Sequence, residues 1–295
     1  MKKRYLKEQM FYNAIFLVLC AIIIIPFLLL VSVSVSKESD IANWGYRLIP
    51  KSIDFSAYKY VFKNPEAIIN AYKVTALFSF ISMVASTFLM SMVAYPLTKS
   101  WLKGRGALSF YLYFTMLFSG GLVPTYILNT QYLHLNDRLW IYILPTLINP
   151  WYVFMIRTFF AGIPEEISES SIIDGASEYH IFLKMILPLS KPVIATVMLF
   201  VFLEKWNDWK DAMLYINKES LISLQYMLQR ILDNIKLLQN TSMSGGGTMG
   251  VDISDIPSET VRMATAIVVA GPALVVFPFF QKYFVKGLTV GSVKG

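Results

Sequence analysis

The sequence predicts an all-α integral membrane protein with about six transmembrane helices, and three observations carry that prediction. Hydrophobic residues make up 56% of the 295, charged residues only 15%, and the mean hydropathy is +0.54. A soluble chain of this length has too little interior to hide so much apolar surface. Apolar runs of roughly 18 residues or more, long enough to cross the hydrocarbon layer, recur along the chain. One polar island, Ile163 to Pro192, lies between the fourth and fifth runs and reads as a helix–turn–helix. The reading is a single membrane domain over residues 1–295, with the polar loop 163–192 inside it.

The first span covers residues 11–35, behind the basic leader Lys2, Lys3, Arg4 and Lys7. That leader favours a cytoplasmic N-terminus, and with six spans the C-terminus lies on the same side. The run is too long for a signal peptide and no small-residue cleavage site follows it, so an uncleaved helix is expected, kinked at Pro26. Residues 36–69 mix Trp44, Tyr46, Tyr58, Tyr60 and Phe62 with lysines, which suits the outer interface. They read either as an interfacial strap or as a contact for an external partner. The second span, about Ile69 to Leu97, carries Ser79, Ser82, Ala85, Ser86 and Ser91, small residues that let helices approach closely. The third, about Leu108 to Leu128, should bend at Ser119-Gly120-Gly121 and Pro124.

A tight turn, His134 to Arg138, leads into the fourth span at Leu139 to Phe160, interrupted by Asn149-Pro150-Trp151. An amide at membrane depth is costly unless it faces protein or a wet cavity, which makes Asn149 a candidate pathway residue. Hydrogen bonding between helices is the equal alternative. The fifth span, from about Leu189, ends in Glu204-Lys205-Trp206-Asn207-Asp208-Trp209, the richest polar-aromatic cluster in the chain. Aromatic faces cover the C–H faces of a sugar ring while amides and carboxylates bond its hydroxyls, so Trp206, Asn207, Asp208 and Trp209 are candidate substrate contacts. An aromatic belt with Lys205 reaching toward headgroups is the plainer reading. A long loop, 210–261, holds a helical stretch at Leu221 to Leu238 and a glycine connector at 244–250. The last span is Met263 to Phe284.

Several classes are excluded. Cys20 is the only cysteine, so no internal disulfide forms. His134 and His180 have no neighbouring ligand set, which argues against a metal site. The net charge of +7 reads as membrane orientation rather than a nucleic-acid surface. The connector at 244–250 lacks the lysine and hydroxyl residue of a phosphate loop, so no ATP site is visible in this chain.

The polar island is the most specific signal. Pro164, Glu165 and Glu166 open a first helix that runs to about Ile173. Asp174-Gly175 ends it, because glycine accepts left-handed dihedrals, and a second helix runs from about Ser177 to just before Pro188. The pattern is Glu169-Ser170-Ser171, three residues, Gly175, nine residues, then Met185-x-Leu187-Pro188. It resembles the EAA loop of ABC importer permeases, with serines for the two alanines and Met185 for isoleucine. The stretches NWGYRLIPKSIDFSAYKYVF, SGGLVPTYIL and VRMATAIVVAGPALVVFPFFQKYFVKGL are similar to the oligosaccharide (MalG-like) family, in its LplC/YtcP-like branch, over roughly residues 10–295.

That resemblance implies a permease subunit of a binding-protein-dependent importer in the bacterial cytoplasmic membrane. It implies that the loop lies in the cytoplasm, docking into an ATPase subunit through Glu169, Ser170, Ser171, Asp174, Gly175 and Ala176. Glu169 would pair with a basic groove residue, Asp174 would hold the turn, and Gly175 would permit close approach. The partners implied are a homologous second permease, two ATPase subunits that bind ATP and magnesium, an extracellular solute-binding protein and an oligosaccharide, in membrane lipid and without nucleic acid. No cofactor is implied for this chain and no covalent chemistry, and the tail after the last span would reach toward the ATPase pair. A Trp-Asn pair such as Trp206-Asn207 is common in related carbohydrate permeases, whereas Glu204-Lys205 departs from that pattern. Two other classes compete: an ion-coupled secondary sugar transporter, for which Lys73, Glu204 and Lys205 are the few ionisable groups near spans, and a membrane-embedded enzyme, for which no nucleophile–base set appears.

Overall fold

The computed structural model describes residues 2–243 and 258–292, and every regular element among them is helical. In order these are α1 (Lys2–Ser34), α2 (Glu38–Trp44), α3 (Ser56–Val61), α4 (Pro65–Ala94), α5 (Arg105–Leu117), α6 (Leu122–Ile127), α7 (Pro150–Ala161), α8 (Glu166–Ile173), α9 (Glu178–Ile181), α10 (Leu187–Leu189), α11 (Lys191–Trp206), α12 (Lys210–Tyr215), α13 (Leu224–Met243) and α14 (Ser258–Ser292). Three stretches are straight and apolar enough to cross a bilayer: Gln9–Ser34, Pro65–Thr98 and Glu259–Val276. Three further candidates are helix pairs with a sharp bend, so the structure holds up to six spans. The expected glycine connector at 244–250 lies outside the described residues.

Two of the three bends have a cause in the sequence. α5 and α6 meet at 111° across Ser119-Gly120-Gly121, where Gly121 has φ +87. The fourth span is 3₁₀ over Leu139–Tyr142 and Leu144–Thr146, then turns by 51° into α7 at Asn149-Pro150. There the Asn149 side chain accepts the Trp151 N–H at 3.0 Å, and proline occupies the first helical position, where its missing N–H costs nothing. Pro26, in contrast, lies inside an unbroken α1.

The contacts sort the chain into two compact units, Met1–Glu66 with Leu228–Pro272, and Ala67–Met227 with Ala273–Gly295. In the first, serines fasten the end of α1. Ser32 Oγ donates to the Arg47 carbonyl at 2.7 Å and Ser34 Oγ meets Tyr58 Oη at 3.0 Å, while α1 from Met10 to Leu28 is exposed along almost its whole surface. Glu38 caps α14, its carboxylate accepting the backbone N–H groups of Glu259 and Thr260 at 2.9 and 3.0 Å and the Thr260 hydroxyl at 2.7 Å. Arg47 and Lys51 lie over the Trp44 ring at 5.5 and 4.2 Å.

In the second unit α4 threads two apolar clusters. One joins Met90, Ala94, Tyr95 and Leu97 to Val153, Ile156 and Phe160 of α7, Ile181, Phe182 and Ile186, and Val193, Val197 and Val201 of α11. The other gathers Val74 and Phe78 with Ile141, Tyr142, Tyr215 and Ile222, and Phe78 stacks on Tyr142 at 4.2 Å. Ser79, Ser82, Ser86 and Ser91 of α4 are all buried, as expected of a stripe built for close approach. The turn before the fourth span is tied to the chain after α12. Asp137 accepts the backbone N–H groups of Asn217 and Lys218 at 2.6 and 2.9 Å, and these, Lys218 foremost, hold its carboxyl below the usual range.

Candidate functional site

The polar island folds as the spacing predicts, into a bent elbow. α8 ends at Asp174; Gly175 then takes φ +80, its N–H bonding the Ile172 carbonyl at 2.9 Å while the Ala176 N–H bonds that of Ser171, also at 2.9 Å. These two bonds satisfy carbonyls at the helix end and fix the direction of exit. Ser177 caps the second arm, accepting the His180 N–H at 3.3 Å.

That arm continues beyond the expected stop. It passes from α9 through a π-helical turn, Phe182–Ile186, into α10, and so carries Pro188 inside it. Proline has no N–H to give the preceding turn and its ring crowds the carbonyl four residues back; the wider π turn relieves both demands.

Of the candidate coupling residues, Glu169, Ser170, Asp174 and Gly175 are exposed, Ala176 is half-buried and Ser171 is buried. Both serine hydroxyls turn back onto the Ile167 carbonyl, Ser171 at 2.9 Å and Ser170 at 3.2 Å. Beside the charged residues the elbow exposes Ile172, Ile173 and Tyr179, with Ile173 85% accessible. Ile172 and Ile173 lie outside the candidate spans, and an exposed apolar patch among carboxylates is the kind of surface that marks contact with another molecule.

Behind the elbow, Tyr95 Oη donates to Glu178 at 2.5 Å and Lys99 Nζ to Ser168 Oγ at 3.0 Å. A cavity of about 150 Å³ opens between Tyr95, Lys99, Ser168, Phe160 and Glu165.

Four of the five candidate pathway residues, Asn149, Asn207, Asp208 and Trp209, line two neighbouring cavities. One, of about 400 Å³, is walled by Asn149, Trp151, Tyr152, Glu204 and Lys205. The other, of about 300 Å³, is walled by Glu204, Lys205, Asn207, Asp208, Trp209 and Asp211. Thr146, Glu204 and Lys205 belong to both, so the structure brings Asn149 and the end of α11 to one concave region.

Trp206 is placed elsewhere: it is buried and stacks on Phe202 at 5.6 Å. Asn207 donates its amide to the Leu203 carbonyl at 2.8 Å, which turns its NH₂ back on its own helix.

Charge in this region is concentrated on one buried lysine. Lys205 Nζ lies 3.6 Å from Asp208 and 3.8 Å from Asp211, and Asp208 also accepts the Asp211 N–H at 3.1 Å. Burial, with the Asp208 charge adding to it, pushes the Asp211 carboxyl up to about 7.

Sequence reasoning left Glu204 and Lys205 unassigned and missed Tyr152, Asp211, Tyr95 and Lys99. The three-residue spacing of Lys205 to Asp208, across the end of α11, was a usable signal for the ion pair. Nothing local marks Tyr95 or Lys99, whose partners lie 83 and 69 residues away.

Comparison with known proteins follows this geometry. The family of binding-protein-dependent transport system inner membrane components matches residues 67–290. The protein LplC of Bacillus subtilis (strain 168) is 39% identical over 275 residues, covering 93% of this chain and 90% of its own length. The polygalacturonan/rhamnogalacturonan transport system permease protein YtcP of the same organism is 36% identical over 294 residues, covering 99% of this chain and 100% of its own. Among solved structures, that of a bacterial ABC transporter involved in the import of the acidic polysaccharide alginate matches with a TM-score of 0.77 and 26% identity, over 94% of this chain and 97% of that one.

Proposed function

This chain belongs to the inner membrane components of binding-protein-dependent transport systems, and on that premise we propose that it moves an oligosaccharide across the bacterial cytoplasmic membrane by ATP-driven alternating access. The elbow is the observation that carries the mechanism. It offers carboxylates at Glu169 and Asp174 and apolar groups at Ile172, Ile173 and Tyr179 to a partner, from a rigid turn between two apolar segments. In this reading the elbow faces the cytoplasm, both termini lie on that side, and a groove on an ATPase subunit receives Glu169, Ser170, Ser171, Asp174, Gly175 and Ala176.

ATP and magnesium act at the two ATPase subunits, whose closure displaces the elbow. The displacement shifts packed helices about the cavities and exchanges outward for inward access. A homologous second permease completes the pathway, and an extracellular binding protein delivers the sugar. Sugar recognition draws support from the cavity walls. Trp151, Tyr152 and Trp209 present ring faces, and Asn149, Glu204 and Asp208 present hydrogen-bonding groups of the kind that fix a polyol. Trp206 and Asn207 support that wall from the end of α11.

The test is uptake into proteoliposomes holding the full complex, with a panel of neutral and acidic oligosaccharides. Uptake should need internal ATP, the ATPase subunits and the binding protein together. Accumulation driven by an ion gradient without ATP would replace this reading with secondary transport.

A further inference from the structure

We infer that α4 is the lever connecting the elbow to the substrate cavities, and that the Tyr95 hydroxyl and the Lys99 ammonium are its grips on the elbow. The inference rests on the transport reading above and names the route by which the elbow acts on the cavities.

Both arms of the elbow are held by the chain that leaves α4, Tyr95 directly after its last residue and Lys99 after the 3₁₀ turn Pro96–Thr98. Tyr95 donates to Glu178 on the second arm at 2.5 Å, and Lys99 donates to Ser168 on the first at 3.0 Å. The Lys99 ammonium also lies 5.0 Å above the Tyr95 ring, and that ring packs on Phe182 at 5.3 Å. A bond to an ionised partner is about twice as strong as a neutral one. With one charged hydrogen bond to each arm, a push on the elbow displaces both arms together, and the end of α4 with them.

Among the candidate spans that pack on the elbow and the cavity walls, α4 is the unbroken one. The other three candidate spans there are broken, by 111°, 51° and 81°, whereas α4 is 30 residues of continuous α-helix. At 1.5 Å per residue that is roughly 45 Å of stiff element.

Its far part is bonded to the cavity walls. Thr75 Oγ1 accepts the Leu224 N–H at 2.9 Å, and Phe78 stacks on Tyr142, whose hydroxyl donates to the Leu221 carbonyl at 2.8 Å. Ser223, between them, donates to the carbonyl of Asp208 at 2.9 Å, and Asp208 is a cavity wall. Midway, Met90 Sδ accepts the Asn149 N–H at 3.4 Å, at the break in the fourth span. The same helix therefore bonds the Asn149 corner directly, reaches the elbow through Tyr95 and Lys99, and reaches the Asp208 rim through Leu224 and Ser223.

The experiment releases the grips while leaving the ring and stem in place, with Tyr95→Phe and Lys99→Met, singly and together, in the complete complex. The double variant should assemble with its ATPases and hydrolyse ATP within about twofold of wild type, while sugar moved per ATP falls at least fivefold. Glu178→Gln, whose amide oxygen still accepts from Tyr95, should keep at least half of the coupling. Glu178→Leu should match Tyr95→Phe, and combining those two should add nothing, because both remove one bond. A wild-type transport ratio in the double variant, or loss of the ATPase subunits from it, overturns the lever. Amide hydrogen exchange in the intact purified chain decides the matter without transport. Releasing the grips should speed exchange at Leu224 several-fold, and unchanged protection there overturns the lever even if wild-type uptake proves independent of ATP.

Discussion

Replacing Gly175 separates two reasons why a glycine stands at the elbow. Its φ of +80 is one that side-chain-bearing residues rarely adopt, yet a Cβ built there meets nothing within 4 Å. Inside this chain, then, the demand is conformational and not steric. Alanine at a left-handed position costs about 1–2 kcal/mol, asparagine less, and a β-branched residue more. A penalty of about 1–2 kcal/mol lowers the population of the formed turn relative to its alternatives by about 5–30-fold. The assay is ATP-dependent uptake and ATPase stimulation in the reconstituted complex, with membrane insertion and assembly followed in parallel. Activity should fall in the order Asn, Ala, Val. Gly175→Asp, compared with Gly175→Asn, isolates the added charge and should abolish uptake while insertion stays intact. Wild-type uptake in Gly175→Val would falsify the whole argument. Asparagine failing as badly as valine would show that a partner, not the backbone, needs the empty space.

Other outcomes follow from other parts of the structure. Trp209→Ala and Trp151→Ala should each raise the KM for uptake on the order of tenfold, equivalent to about 1.4 kcal/mol, with the ATPase rate unaffected; unchanged KM in both would remove the sugar from these walls. Asp211 has its carboxyl raised by burial, so the folded state binds a proton more tightly than the unfolded one and loses stability as pH climbs from about 4 toward about 7. Asp211→Asn should flatten that part of the pH–stability curve in detergent, and a curve identical to wild type would refute the assignment. Glu38→Ala should lower stability by about 1–3 kcal/mol, because it strips two backbone N–H groups and one hydroxyl of their acceptor, whereas Glu38→Gln, which keeps one acceptor oxygen and turns an NH₂ toward the remaining N–H, should fall between wild type and Glu38→Ala. Thermal unfolding of the purified chain measures both.

Local chemistry made much of this legible in advance. Gly175 had to end a helix, Ser119-Gly120-Gly121 had to break one, and the serines of α4 had to face inward, because each follows from what a residue or its near neighbours can do. Three spans were legible from length and hydropathy alone, and the other three candidates are bent pairs. The course of the chain through Pro188 was not legible, since proline usually stops a helix, and here the π turn Phe182–Ile186 before it, with Phe182 and Ile186 buried in the cluster, lets the arm continue. Asn149 was singled out for its polarity, yet Asn-Pro is also a cap followed by a first helical turn, and the structure uses it so. The two tryptophans of the Trp-Asn-Asp-Trp run look equivalent in sequence, but the helix ends between them. Trp206 is therefore packed inside while Trp209 stands at the cavity edge.

α1 leaves a last consequence. From Met10 to Leu28 it presents greasy side chains in all directions, while at its base Ser32, Val33 and Ser34 are buried, and Ser32 and Ser34 are bonded to Arg47 and Tyr58 of its unit. A mast stepped at its foot and unstayed above can trade one aliphatic residue for another through most of its height with little penalty. Its footing cannot. The alphabet open to this protein is therefore widest where its letters are the most monotonous.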